Sequence, residues 1–230
     1  IFRFQQPLPT GKMSSIKTVN DFDEMPLSRN ILRGLYASGY EKPSGIQQKA
    51  IIPGIEGKDL LIQSQSGSGK TVTFSTMALQ LVESFRGKPE FDETLVLILC
   101  PNRELAHQTY AVIEAISKYV TDLKICKAIG GYKNIREESD LLLNRPQIVI
   151  GTMGRVMQQT VDLKNLITDQ IRLVIIDEAD EMLKEQQHKD TFRDQIGFLY
   201  DKYINPLCQS VFVSATYTSD VIETSDKILR

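Results

Sequence analysis

Leu60-Leu61-Ile62-Gln63-Ser64-Gln65-Ser66-Gly67-Ser68-Gly69-Lys70-Thr71 joins a short apolar run to a glycine-serine loop and then to a helix-competent segment. Glycines let the backbone curl so that successive N–H groups face an anion, and the helix N-terminus behind the loop adds partial positive charge. Ser66, Gly67, Ser68 and Gly69 would supply the N–H groups. Lys70 would reach the β- and γ-phosphates of a nucleotide, and the Thr71 hydroxyl would ligate Mg²⁺. The strict pattern has Gly where Ser64 stands, so the flanking strand and helix carry the reading.

The same grammar repeats outward from this loop. Strand-length apolar runs occur at Asp59–Ile62, Thr94–Cys100, Leu123–Ile129, Gln147–Thr152, Leu173–Asp177 and Ser210–Ser214. Helix-period segments alternate with them at Leu27–Ser38, Lys70–Phe85, Arg103–Tyr119 and Ile135–Leu143. Runs without in-out alternation suit strands covered on both faces, which predicts an α/β fold: a mainly parallel sheet with helices on both faces. Ligands then bind beyond the carboxyl ends of the strands.

Leu173-Val174-Ile175-Ile176 runs straight into Asp177-Glu178-Ala179-Asp180. A buried strand that ends in acids places carboxylates where a metal-bound phosphate would sit. Phosphoryl transfer needs one carboxylate for Mg²⁺ and a second group to orient water; Asp177 suits the first role and Glu178 the second.

The 230 residues are 41% hydrophobic and 24% charged with a net charge of −2, the composition of an ordinary globular chain. That balance gives no bulk attraction to nucleic acid, so any grip on it must be local. Cys100, Cys126 and Cys208 are well separated and read as reduced core thiols. His107 and His188 stand apart from any zinc-ligand spacing. No apolar stretch approaches the roughly 18 residues of a spanning helix, so a membrane role is not expected and the cytoplasm, alternatively the nucleus, is. A start at Ile1 rather than Met suggests a piece of a longer chain. Residues 1–20, with Pro7, Pro9, Gly11, Ser14 and Ser15, read as an irregular arm before one domain over 21–230.

Asp177-Glu178-Ala179-Asp180 spells the signature of the DEAD-box RNA helicases, and the chain resembles that family in order from about Phe22 onward. Gly39-Tyr40-Glu41-Lys42-Pro43-Ser44-Gly45-Ile46-Gln47-Gln48 is similar to the eukaryotic initiation factor 4A branch. The resemblance implies a RecA-like P-loop NTPase domain, ATP as nucleotide, RNA (single-stranded or structured) as partner and translation scaffold proteins as further partners. It also implies that Gln47 pairs with adenine, that Tyr40 stacks on it, and that Phe22 is the upstream aromatic of the same site. From the residues alone, Pro43-Ser44 followed by Gln47 reads as a capped helix start.

The resemblance further assigns RNA contacts to Pro101 and Arg103, to Gly130 and Gly131, and to Thr152, Gly154 and Arg155. Asp180, Ser214 and Thr216 would couple the acid cluster to the RNA state. Asn102 replaces the family's usual Thr and Met153 its usual Pro, departures that bear on RNA affinity rather than fold. The usual Gly-Phe after the acidic motif is missing, and a surface insertion near Lys184–Lys189 accounts for the longer spacing. A second lobe bearing catalytic arginines has no counterpart in these residues; such arginines are worth ~10³ to 10⁵ in rate in related NTPases, so activity is expected of a complete two-lobed enzyme. A DNA-directed or nucleic-acid-independent P-loop ATPase and a lone lobe acting as a nucleotide-gated partner-binding module are the competing readings.

Overall fold

The computed structural model describes residues 2–3 (backbone only), 19–130, 135–184 and 191–229. The first half runs β1 (Phe2–Arg3), α1 (Arg29–Ala37), α2 (Gly45–Ile55), β2 (Leu60–Gln63), α3 (Lys70–Ser84), β3 (Val96–Cys100) and α4 (Arg103–Ile116). The second runs β4 (Ile125–Ala128), α5 (Ile135–Leu143), β5 (Ile148–Thr152), α6 (Met153–Met157), β6 (Leu173–Ile176), α7 (Ala179–Met182), α8 (Phe192–Tyr203), β7 (Gln209–Ser214) and α9 (Ser219–Ile228).

Among the described residues the strands form one sheet in the order β1-β2-β7-β6-β3-β5-β4. Every pairing from β2 to β4 is parallel, and only β1 is antiparallel, through Phe2 opposite Ile62 and Arg3 opposite Leu61. The expected irregular arm therefore contains a short edge strand, while residues 4–18 lie outside the described residues. Each of the six strands expected from the apolar runs is present, with ends shifted by a residue or two. Asp59 stays outside β2, where its Oδ1 accepts the Ser210 N–H at 2.7 Å. Asp177 stays outside β6, yet its N–H still donates to Leu99 O at 2.9 Å, one step past the paired ladder.

Side-chain alternation splits the core in two. Val96, Ile98 and Cys100 of β3 join Ile150, Ile175 and Val213 under α1 to α4, whereas Leu97 and Leu99 join Val149, Ile176 and Phe212 under α5 to α9. Both faces of the sheet are thus buried, which is why β3 and β6 at its centre are apolar at every position. On the first face Gly34 of α1 lies flat on the end of α4: a Cβ there would stand 1.7 Å from the Ile116 carbonyl oxygen. All three cysteines are buried thiols outside any disulfide, and burial pushes those of Cys100 and Cys126 up to about 12. No helix among the described residues is long and apolar enough to cross a membrane.

Candidate nucleotide cleft and nucleic-acid groove

At the end of β2 the chain turns through Gly67 (φ 77°) and Gly69 (φ 95°), left-handed conformations that favour glycine. Gly69 also caps α3, and a Cβ on it would stand 2.6 Å from Gln47 Nε2. Ser64, the departure from the usual glycine, closes the loop on itself: its hydroxyl donates to Ser68 Oγ at 2.5 Å, and its N–H donates to Ser214 O at 3.1 Å. Gln65, Ser66 and Gly67 are exposed, Ser68 and Gly69 half-buried, and Thr71 half-buried one residue into α3. The two left-handed glycines curl the loop as an anion cradle requires, with the Ser68 N–H donating to Gln65 O at 3.3 Å.

Lys70 opens α3 and is only 7% exposed, its Nζ lying 3.2 Å from Glu178 Oε1. Glu178 follows β6 with φ 45°, a left-handed conformation rare outside glycine that costs energy and recurs at functional sites. Its N–H donates to Asp177 Oδ1 at 3.0 Å. Burial first, and then the neighbouring Glu178 charge, push the Asp177 carboxyl up to about 6. A divalent cation fits this place, because it would relieve both effects by supplying positive charge beside a buried carboxylate. Among the described residues no cluster of three His, Cys, Asp or Glu forms a closed protein cage for a metal. An oxygen-liganded ion shared with phosphate and water is what such an open carboxylate accommodates.

Asp180 of α7 accepts from the Thr216 hydroxyl at 2.7 Å and from the Thr216 N–H at 3.1 Å. Ser214 Oγ donates to Thr216 O at 2.7 Å. Burial would raise the Asp180 carboxyl, but the hydrogen bonds of Thr216 and Ser214 outweigh it and hold the group below its ordinary value. The three residues expected to couple the acid cluster to the turn after β7 thus touch one another.

The adenine residues are placed less simply. Gln47 is buried, with Oε1 accepting the Ser44 N–H at 2.8 Å and Nε2 donating to Gly69 O at 3.4 Å. Ser44 Oγ donates to Ser68 O at 2.9 Å. This segment therefore caps α2 and ties it to the phosphate loop. Tyr40 is half-buried in a shallow groove with Ala37 and Ser38, with Ala111, Val112 and Ala115 of α4, and with Lys118 just past its end, which no phosphate-loop residue lines. Phe22 is fully buried and edge-to-face with Tyr36 at 6.3 Å, so as placed it packs in the core and presents no open face to a base.

At the ends of β3, β4 and β5 the other three loops meet. Pro101, Arg103, Gly130, Thr152, Gly154 and Arg155 line one open groove of about 730 Å³. Gly131 lies outside the described residues. Arg103 is exposed and lies over Gly130, where a Cβ would stand 3.3 Å from its guanidinium. Asn102 does the capping that Thr would do, Oδ1 accepting the Leu105 N–H at 3.0 Å. Met153 is fully buried at the first position of α6, where proline is favoured but not required. Arg155 departs from a free phosphate-binding cation: its side chain is 9% exposed and paired with Glu138.

A profile of the DEAD/DEAH box helicase family matches residues 44–224. The chain belongs to the DEAD/DEAH box helicase family. It is 41% identical over 227 residues to the ATP-dependent RNA helicase eIF4A of Aspergillus clavatus, covering 98% of this chain and 54% of that protein. The eIF4A helicases of Neosartorya fischeri and Neurospora crassa are similar to it at 40% and 39% over the same coverage. Among solved structures, a DEAD box protein from the hyperthermophile Methanococcus jannaschii superposes with a TM-score of 0.81 at 31% identity, over 92% of this chain and 54% of that one. S. cerevisiae Dbp5 bound to Gle1 and IP6 gives 0.77 at 31%, over 92% and 51%. The chain spans about half the length of these relatives.

In this DEAD/DEAH box domain, sequence reasoning missed four residues at the two sites. Ser44 bridges to the phosphate loop, Phe192 and Gln158 line the groove, and Glu138 holds Arg155. Only Ser44 left a sequence signal, its capping position before α2; the other three are brought in by packing between distant elements. The proposed insertion falls largely on residues 185–190, outside the described residues, as does His188.

Proposed function

We propose that the chain is the ATP-binding N-terminal lobe of an ATP-dependent RNA helicase. What carries the reading is that a phosphate cradle and a multi-loop groove open at the same carboxyl edge of one sheet, with Lys70 3.2 Å from Glu178 in the first and six expected RNA residues lining the second. In this reading ATP sits on the N–H groups of Ser66 to Thr71, and Lys70 leaves Glu178 for the β- and γ-phosphates. Glu178, freed of its cation, orients the water that attacks the γ-phosphorus and draws its proton, while the bond from that phosphorus to the β-phosphate oxygen breaks and ADP leaves. Mg²⁺, held by Asp177 and Thr71 in part through water, would screen the phosphate charge. Gln47 and Tyr40 select adenine once the segment from Gly39 to Gln47 closes over the base.

The groove takes the backbone of single-stranded RNA or of the strand being freed from structured RNA, through N–H groups, hydroxyls and guanidinium rather than base edges. Asp180, Ser214 and Thr216 link that strand to the acid cluster. Hydrolysis is completed by arginines from a second lobe, consistent with the half-length coverage of the relatives. Likeness to eIF4A proteins favours translation initiation or related RNA processing, in the cytoplasm with the nucleus as alternative, with initiation scaffold proteins as partners. ATPase assays on the full-length protein test this: stimulation by single-stranded RNA and not by duplex DNA is expected, and equal stimulation by both would sink the RNA assignment.

A further inference from the structure

Behind the groove, Arg155 and Gln158 of its lining run back into a buried polar network. Glu138 of α5 is 3% exposed. Its Oε1 lies 3.2 Å from Arg155 Nε and accepts from Gln159 Nε2 at 2.8 Å. Arg155 Nη1 donates to Gln158 Oε1 at 2.6 Å, and Asn165 Nδ2 donates to Gln159 Oε1 at 3.0 Å. Burial raises the Glu138 carboxyl, while the Gln159 bond, the Arg155 charge and the Ile129 N–H oppose that rise. One carboxylate therefore reaches the end of β4, α6 and the turn beyond it, which are the walls on either side of the groove.

Fold stability does not explain the network. Two buried charges give up hydration that their attraction only partly returns, and apolar residues of similar volume often serve a core as well. The backbone adds a second sign. Residues Gln158–Asp162 form a π-helical turn, a rare form that appears mostly at functional sites. Here the adjacent Gln158 and Gln159 both serve one cluster, the first binding Arg155 and the second binding Glu138. On a regular helix consecutive side chains diverge by about 100°.

We propose that Glu138 is a positioning residue for Arg155, holding the guanidinium plane at the groove wall so that it meets an RNA backbone phosphate in one fixed orientation. The proposal rests on the RNA reading of the groove. A long arginine on an open surface must be ordered when a phosphate arrives, whereas this one is ordered beforehand between Glu138 and Gln158, so less freedom is lost on binding. The pairing also neutralises most of its charge, which makes the contact one of directed hydrogen bonds more than of bulk attraction.

The test combines ssRNA binding by fluorescence anisotropy with NMR of the Arg155 Nε–H group. In the wild-type protein that proton is buried beside Glu138 and exchanges slowly with water; in Glu138→Gln it exchanges at least roughly tenfold faster, and ssRNA affinity, measured well below the lowered melting temperature of the variant, falls roughly tenfold. The double variant Glu138→Gln/Arg155→Ala binds no more weakly than Arg155→Ala alone, because both losses run through one side chain. Arg155→Lys, which keeps the charge without the fork, loses as much affinity as Arg155→Ala. Exchange indifferent to Glu138→Gln, additive losses in the double variant, or full affinity in Arg155→Lys would each overturn the proposal. Should exchange respond as expected while Arg155→Ala leaves ssRNA binding untouched, the positioning stands and the RNA reading of the groove falls.

Discussion

Lys70 Nζ lies 3.2 Å from Glu178 Oε1, so the two residues to which the proposed mechanism gives phosphate and water are ion-paired with each other. In that mechanism each leaves the other before it acts, and nucleotide binding both recruits Lys70 and releases Glu178.

Glu178→Gln breaks this ion pair while leaving Lys70 available. ATP affinity is expected to hold or rise, while turnover of the full-length protein drops by about a hundredfold or more, since an amide cannot take the proton from water. Calorimetry and steady-state ATPase measure the two. Near-normal turnover would move the water-orienting role elsewhere.

Lys70→Ala removes a buried charge-assisted donor and strands Glu178 without its partner. The expected loss in ATP affinity corresponds to about 1.5–3 kcal/mol. Unchanged affinity by calorimetry would sink the phosphate-loop assignment.

Gln47→Ala tests two roles at once. Its Oε1 accepts from Ser44 and its Nε2 faces Gly69, so the variant should lower stability by about 1 kcal/mol and loosen the phosphate loop. If the same amide also reads adenine, preference for ATP over GTP falls by about 1 to 3 kcal/mol. Competition of the two nucleotides against a labelled ADP analogue separates the roles, because a purely structural glutamine would weaken both equally.

Gly34→Ala should destabilise the fold by about 1–3 kcal/mol or more, because the added methyl would press on main chain at Ile116 that no rotamer change can move aside. A melting temperature equal to wild type would show that α1 can shift away from α4.

The legible part of this protein is the part coded locally. β3 and β6 are buried on both faces, so every residue had to be apolar and the runs stood out. The phosphate loop and the acidic strand end were readable for the same reason, since each function sits in consecutive residues. What escaped was nonlocal. Nothing near Glu138 announces that it will meet Arg155, because α5 and α6 come together only once β5 is laid between β3 and β4. Phe22 was legible as an aromatic but not as a core residue, since its burial depends on α1 folding back to bring Tyr36 against it.

In the proposed function this chain supplies the nucleotide cradle, and RNA-driven hydrolysis needs a second lobe as well. Steady-state ATP hydrolysis, with and without single-stranded RNA, should be measured for the 230-residue chain and for a version extended through a second lobe. ATP binding in both, with RNA stimulation only in the extended protein, is the predicted result, because closing a cleft around ATP and RNA together is a coupling that one wall cannot generate. Strong RNA stimulation of the 230-residue chain alone would contradict it.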